Sequence, residues 1–360
     1  MDVVPITQLA TDGRPSAQVI AAANMHRRWH LHHFGHDDLA DSADTRMAIM
    51  RDSPDRRKIW LSAVVDDRLV ADAMAALSLN DNLHSAGIEM NCDPDVPAAE
   101  VLPALWDSLR ERLLADNRTT IQTWTAHPNP GPLTTDSLTA ASGVGHLDRD
   151  ETTDVLTSLG FSLEQTERHS TLVVADALAR LDAHEATALA KADESYETLS
   201  WVGRTPPELL DRMAELRARM SVDVPMAGLE FEIENWDAER VERYDQRSID
   251  AGRTRVSTAA RHRRTGQLVA YTEFEQPRDK PACGYQEDTL VHGDHRGHRL
   301  GLLIKVRNLR ALAEHTPQVE RIHTWNAGEN DHMLSINVAL GFEPAGAEGA
   351  WQLKLDHLRT

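Results

Sequence analysis

Residues 293–301 read Gly293-Asp294-His295-Arg296-Gly297-His298-Arg299-Leu300-Gly301. They lie between a strand-like stretch, Tyr285–Val291, and a long helical pattern, His298–His315. A turn there aims several backbone N–H groups at one point, and the positive end of the helix dipole follows at once. That arrangement suits phosphate groups. Glycine lets the backbone approach a ligand without a Cβ clash. Arg296 and Arg299 add charge for a diphosphate. Taken alone, the same residues also read as an exposed basic turn capping a helix, so the surroundings must decide.

Working outward, Arg321–Asn326 reads as a strand and His332–Leu340 as a helix, with Trp351–Leu355 as a final strand. Upstream, Thr254–Arg261 and Leu268–Glu275 form a hairpin through Thr265-Gly266. Before it come the strand Tyr196–Val202 and the helices Pro206–Met220 and Asp237–Ile249. The first half runs in the same order. Lys58–Val65 and Leu69–Leu79 read as strands joined by Asp66-Asp67, and Ala86–Asn91 as a third. A helix over Ala98–Leu114, a strand over Thr120–Thr125, a helix over Glu151–Leu159 and a closing strand over Ser170–Val174 follow.

Short matches tie the halves together. Ile121-Gln122-Thr123-Trp124-Thr125-Ala126 matches Ile322-His323-Thr324-Trp325-Asn326-Ala327 at an offset of 201. Leu69-Val70-Ala71 matches Leu268-Val269-Ala270, and Leu159-Gly160-Phe161 matches Leu340-Gly341-Phe342. The shared order argues for two copies of one fold. The expected division is 1–175 for the first copy, 176–195 for a helical connector and 196–360 for the second.

Composition narrows the function. The 360 residues carry 38 Lys and Arg against 57 Asp and Glu, a formal charge of −19. Most of it lies in residues 1–185, at −14. Nucleic-acid binding is disfavoured, because phosphate contact draws on clustered cations. No run of 18 apolar residues exists, so no membrane span is expected. Two cysteines, Cys92 and Cys283, make neither a disulfide framework nor a thiolate zinc cluster. With no signal-peptide pattern in Met1–Pro15, a cytoplasmic location is expected. His26, His30, His32, His33 and His36 have partial helical metal spacing but no supporting carboxylate pattern, and read as a partly exposed helix end rather than a metal site.

The loop, the strand after its helix, and the run from Asn330 to Leu340-Gly341-Phe342 together resemble the GNAT N-acetyltransferase superfamily, in its tandem two-domain actinobacterial type. That family's pyrophosphate loop reads Gln/Arg-x-x-Gly-x-Gly/Ala. Arg296 holds the first place and Gly301 the last, while Arg299 replaces the middle glycine. The resemblance implies an α+β fold of two tandem GNAT-like domains, each a mixed, mostly antiparallel sheet flanked by helices. It implies acetyl-CoA as cosubstrate and direct N-acetyl transfer to a small amine. The acidic surplus suggests a cationic one.

The resemblance also places residues. Thr289, Leu290 and Val291 would bond the pantetheine arm through their backbone. Arg296, Gly297, His298, Arg299, Leu300 and Gly301 would take the diphosphate, and Asn326 and Asn330 would lie near the thioester. Glu287 is the candidate base, on the face of a regular strand that carries Tyr285, Thr289 and Val291, with Asp288 opposite. Asn337 stands where the family has its general-acid tyrosine, and it has no proton to give a thiolate. That departure keeps a non-catalytic acetyl-CoA sensor or scaffold open as the alternative. In the first half the loop's place is taken by Cys92-Asp93-Pro94-Asp95-Val96-Pro97-Ala98, whose prolines lack N–H and whose aspartates repel a diphosphate. Two copies in one chain fit a pseudo-dimeric monomer or a homodimer.

Overall fold

The computed structural model describes residues 1–10 and 12–355. In chain order the first ten elements are β1 (Asp2–Pro5), α1 (Ala17–Phe34), α2 (Ala43–Ile49), β2 (Arg56–Val65), β3 (Arg68–Ser78), β4 (Ser85–Cys92), α3 (Ala98–Ala115), β5 (Thr120–His127), β6 (Leu138–Thr139) and β7 (His146–Leu147). There follow α4 (Glu151–Ser158), β8 (Ser162–Val173), α5 (Val174–Leu178), α6 (Leu181–Ala192), β9 (Tyr196–Val202), α7 (Leu210–Asp223) and α8 (Ala238–Asp250). The chain ends with β10 (Arg253–His262), β11 (Leu268–Pro277), β12 (Cys283–Val291), α9 (Leu300–His315), β13 (Arg321–Ala327), α10 (Asp331–Leu340) and β14 (Glu343–Lys354).

Contacts divide the chain into two units. Unit 1 holds residues 1–167, 226–230 and 346–360, and unit 2 holds 168–225 and 231–345. The line falls inside β8 and again inside β14, and α5 and α6 count with unit 2. The closing strands are longer than the apolar runs Ser170–Val174 and Trp351–Leu355 suggest, because both begin soon after the preceding helix cap.

In unit 1 the sheet order is β1-β2-β3-β4-β5-β14, antiparallel except for β4 with β5. Asp66 and Asp67 both have positive φ, as a tight two-residue hairpin turn requires. The strand beside β5 is β14, the last of the chain, in register from Ala347 opposite His127 to Lys354 opposite Thr120. Leu105, Leu109 and Leu113 of α3 pack into one core cluster with Leu61, Ala73, Ile121 and Trp351. A second cluster joins Val19 and Ala22 of α1 with Met47, Trp60 and Met74.

In unit 2 the order β13-β12-β11-β10-β9 is again antiparallel except for β12 with β13. Met213, Leu216 and Val241 of α7 and α8 pack on Ala259, Tyr271 and Leu290. Leu303, Val306 and Leu309 of α9 pack with Val256, Ala270 and Phe274. The matched triplets occupy matched places. Ile121 and Ile322 lie in the parallel strands, and Gly160 and Gly341 take positive φ just after α4 and α10.

Candidate active site

Two strands of unit 2 separate at the site. Register between β12 and β13 covers only Cys283–Tyr285 against Arg321–His323. A last link runs from the Thr324 hydroxyl to the Gln286 carbonyl at 3.3 Å. Where β12 leaves β13 it also bulges against β11. Thr272 faces Thr289 and Phe274 faces Gln286, so Glu287 and Asp288 together oppose the single residue Glu273. An extra residue on one strand bends it and re-aims its side chains.

The bulge overturns the regular alternation expected for this strand. Gln286 and Thr289 both reach the Thr272 hydroxyl, at 2.9 and 2.7 Å, and therefore share a face although they are three residues apart. Asp288 accepts from the Tyr271 hydroxyl at 3.2 Å, and Arg217 lies 3.6 Å from it. Glu287 thus does not share a face with Thr289. Its charged surroundings are Glu275, Arg253, Asp288 and Arg255.

Glu287 is exposed to solvent, on a strand whose neighbouring residues carry charge. Lost hydration, with the Glu275 and Asp288 carboxylates nearby, pushes its carboxyl up to about 8 against the pull of Arg253 and Arg255. Glu275 responds oppositely. Burial opposes its ionisation, but Arg255 and Arg253 win and hold it at about 2. Arg255 donates to Glu275 and Asp245, and Arg253 donates to Glu275 at 2.8 Å. Arg217 donates to buried Glu273 at 2.6 Å. Its guanidinium lies 4.0 Å from the Tyr244 ring centre. Glu275, Arg253 and Arg255 of this network are the charges nearest Glu287 along with Asp288. Tyr285 stacks near the Arg253 guanidinium and faces His323 and Trp325.

The loop after β12 has the geometry of an anion nest. Gly293–His295 forms one 3-10 turn, Arg296 is extended, and Gly297 has φ +86°. Arg299 caps α9 in the left-handed region at φ 56°, ψ 25°, with no side-chain cap. The arginine keeps the conformation that glycine adopts freely. The backbone N–H groups of Gly297, Arg299, Leu300, Gly301 and Leu302 meet no acceptor among the described residues, and the bond from Leu303 N–H to the Arg299 carbonyl opens α9. Gly301 is packed closely: a Cβ there would meet Ile336 at 3.1 Å and Val291 at 3.6 Å. Leu300 and Leu290 are core residues, and Val291 is half-buried. The Arg296 guanidinium folds back onto the Val291 and Asp223 carbonyls. Arg299 is exposed beside the nest. The His295 ring lies 3.0 Å from the Tyr196 hydroxyl, with His298 against the same tyrosine. Burial and the neighbouring His262 and His292 lower the His295 imidazole.

Past the split, Asn326 and Asn337 meet. Asn337 is buried and donates from Nδ2 to Asn326 Oδ1 at 2.5 Å. Its Oδ1 accepts from Lys305 Nζ at 2.9 Å. Lys305 is 1% exposed, and burial lowers its amine to about 7. Asn330 caps α10, its side chain accepting from Met333 N–H at 3.2 Å. Lys305 and the Arg217–Glu273 pair were not singled out in the sequence. Their charges suggest surface until tertiary packing encloses them.

Unit 1 is built differently at the matching turn. Buried Asp93 accepts from Asp95 N–H at 3.1 Å and pairs with Arg28 and Arg68. Glu151 accepts from Ala99 N–H at 3.3 Å, in the first turn of α3. Carboxylates of the chain itself thus accept two backbone N–H groups at this turn. On α1, His30 is buried and bonded to His26 at 3.2 Å while His32 and His33 are exposed, so the histidine-rich segment is partly exposed.

Two units with one element order, each with a parallel strand pair beside an antiparallel run, define the class: the chain has a tandem GNAT fold. A tandem GNAT protein from the clavulanic acid biosynthesis pathway, solved without AcCoA, superposes with a TM-score of 0.73 at 23% identity, over 98% of each chain. A GCN5-related N-acetyltransferase from Sphaerobacter thermophilus gives a TM-score of 0.57 at 12% identity, over 98% of this chain and 95% of that one. No family model and no curated protein matches the sequence. Among the described residues, no helix is long and apolar enough to cross a membrane.

Proposed function

We propose that the chain is an acetyl-CoA-dependent N-acetyltransferase whose unit 2 binds the coenzyme and acetylates a small, cationic amine. The observation that carries this reading is the set of backbone N–H groups of Gly297 and of Arg299 to Leu302, without acceptors among the described residues, at the end of a strand that has just parted from its parallel neighbour. The nest suits a diphosphate. Beyond Tyr285 the β12–β13 register ends, and an extended arm would lie there beside Thr289–Val291. When bound, acetyl-CoA supplies an activated acyl group.

The residues then divide the work. The nest and Arg299 hold the diphosphate and thereby fix the thioester relative to β12. Glu287, poised near 8 and open to solvent, takes the proton that the amine loses on attack, directly or through one water. Asn326 lies beside the acyl end. Asn337, buried between Lys305 and Asn326, holds its neighbours and gives up no proton. A coenzyme thiolate is a stable enough leaving group to depart without one. Unit 1, its own turn occupied by Asp93 and Glu151, serves as the non-binding copy. Its acidic surplus draws a cationic acceptor.

Thiol release measured across a panel of amines, anions and neutral compounds tests this. Turnover with small cationic amines supports the reading, and turnover only with neutral or anionic acceptors overturns the charge argument. The amide at position 337 favours one other reading, a coenzyme-binding sensor. Saturable binding with no thiol release on any amine decides for it.

A further inference from the structure

Lys305 occupies the core on α9 with 1% of its surface exposed, and its Nζ bonds Asn337 Oδ1 at 2.9 Å. Among the described residues no carboxylate pairs with it, and its Nζ lies 5.8 Å from the centre of the Phe342 ring. A lysine so placed costs stability that a Leu or Met of similar volume would not. What it contributes is direction. Two asparagine side chains facing each other can bond in either sense, because each amide has one acceptor end and one donor end. Below about pH 7 Lys305 carries an ammonium, which has donors only. Facing Lys305, Asn337 must present Oδ1, which turns its Nδ2 toward Asn326 and forces Asn326 to accept through Oδ1, as the 2.5 Å contact records. The Nδ2 donors of Asn326 are then aimed away from this pair. Asn326 sits on β13 three residues beyond His323, where pairing with β12 has ended.

We propose that Lys305 is a positioning residue which, by holding Asn337 in one sense, makes Asn326 present N–H donors to a carbonyl oxygen on the arm of a bound acyl-coenzyme. This rests on the functional reading above. The carbonyl belongs either to an amide of the arm or to the thioester, and the same chemistry recognises both. Without Lys305 the Asn326 amide can turn over and set its own oxygen against that carbonyl.

Calorimetric titration of the full chain with acetyl-CoA, coenzyme A and adenosine 3′,5′-diphosphate at about pH 6, where Lys305 is protonated, tests it. The last probe has neither arm nor thioester. For Lys305→Met, acetyl-CoA should bind about tenfold more weakly while the adenosine diphosphate binds as before. Equal weakening of coenzyme A assigns the contact to an arm amide, and unchanged coenzyme A assigns it to the thioester. Asn337→Asp provides a second route if the methionine variant does not fold. Its carboxylate still pairs with Lys305 but can only accept, so Asn326 must reverse and the same selective loss should appear. Unaltered acetyl-CoA affinity in the folded variants, or equal loss for all three probes, overturns the inference. Wild-type protein that binds none of the probes overturns the functional reading and this inference with it. Wild-type binding with no selective loss overturns the inference alone.

Discussion

The hydroxyl groups of Thr289 and Thr272 lie 2.7 Å apart, on the face of the sheet that Gln286 also uses to reach Thr272. A regular strand would put residues 286 and 289 on opposite faces. The extra residue between them turns Glu287 and Asp288 toward the charged network of Glu275, Arg253 and Arg217.

The first prediction follows from that turn. Glu287→Gln should lower kcat/KM by about 10²- to 10⁴-fold with little effect on acetyl-CoA affinity. In the wild type the ionised carboxylate is the active form, so activity should rise with pH through about 8. In the variant that limb should move to the acceptor's own ionisation. A pH profile of kcat/KM for both proteins checks this, and an unmoved limb counts against Glu287 as the base.

Arg299 holds a left-handed conformation at the N-cap of α9. Arg299→Gly should relieve about 1 kcal/mol of backbone strain. The melting midpoint should rise by about 2 °C. The same change removes an exposed cation beside the nest, so acetyl-CoA should bind a few-fold more weakly and with a shallower salt dependence. Thermal melts and calorimetry at two salt concentrations read both effects.

Buried Lys305 has a folded-state amine lowered from 10.5 to about 7. Between those values the unfolded chain binds the extra proton and the folded chain does not, so this group makes stability rise with pH across that window. Lys305→Met abolishes the term. Urea midpoints should therefore favour the variant most near pH 7, with the advantage shrinking toward pH 10 by an amount on the order of 4 kcal/mol. A gap that stays constant with pH would mean the lysine titrates alike in both states.

In unit 1, Asp93 and Glu151 accept the N–H groups of Asp95 and Ala99 that precede and open α3. One acetyl-CoA per chain is therefore expected by calorimetry. Asp93→Ala should leave that stoichiometry unchanged while costing about 1–2 kcal/mol of stability through the lost hydrogen bonds. Two equivalent sites per chain would contradict the division of roles.

Much of the architecture was legible because its signals are local. Asp66-Asp67 announced a hairpin, and Gly160 and Gly341 marked two helix ends where positive φ is needed. Ile121 and Ile322 marked two matching strands through apolar runs. The nest was legible from Gly297 and Gly301, and even Arg299 was found at the family's glycine place. The Glu287 face was misread, because a bulge is created by pairing with β11 and leaves no mark in the residues of β12 alone. Lys305 escaped notice for a similar reason: its helix is enclosed on nearly every side, so a charged residue cannot be told from a surface one by periodicity.

By itself the sequence determined the repeat, the order of elements and the turn that follows β12, since all three depend on neighbours within a few residues and on conformations only certain side chains allow. Tertiary structure decided which strand lies beside β5, how the bulge aims Glu287, and which way the amides of Asn337 and Asn326 face. Those depend on hydrogen bonds between residues tens to hundreds of positions apart, and they are settled only when strands pair and Lys305 is brought against Asn337.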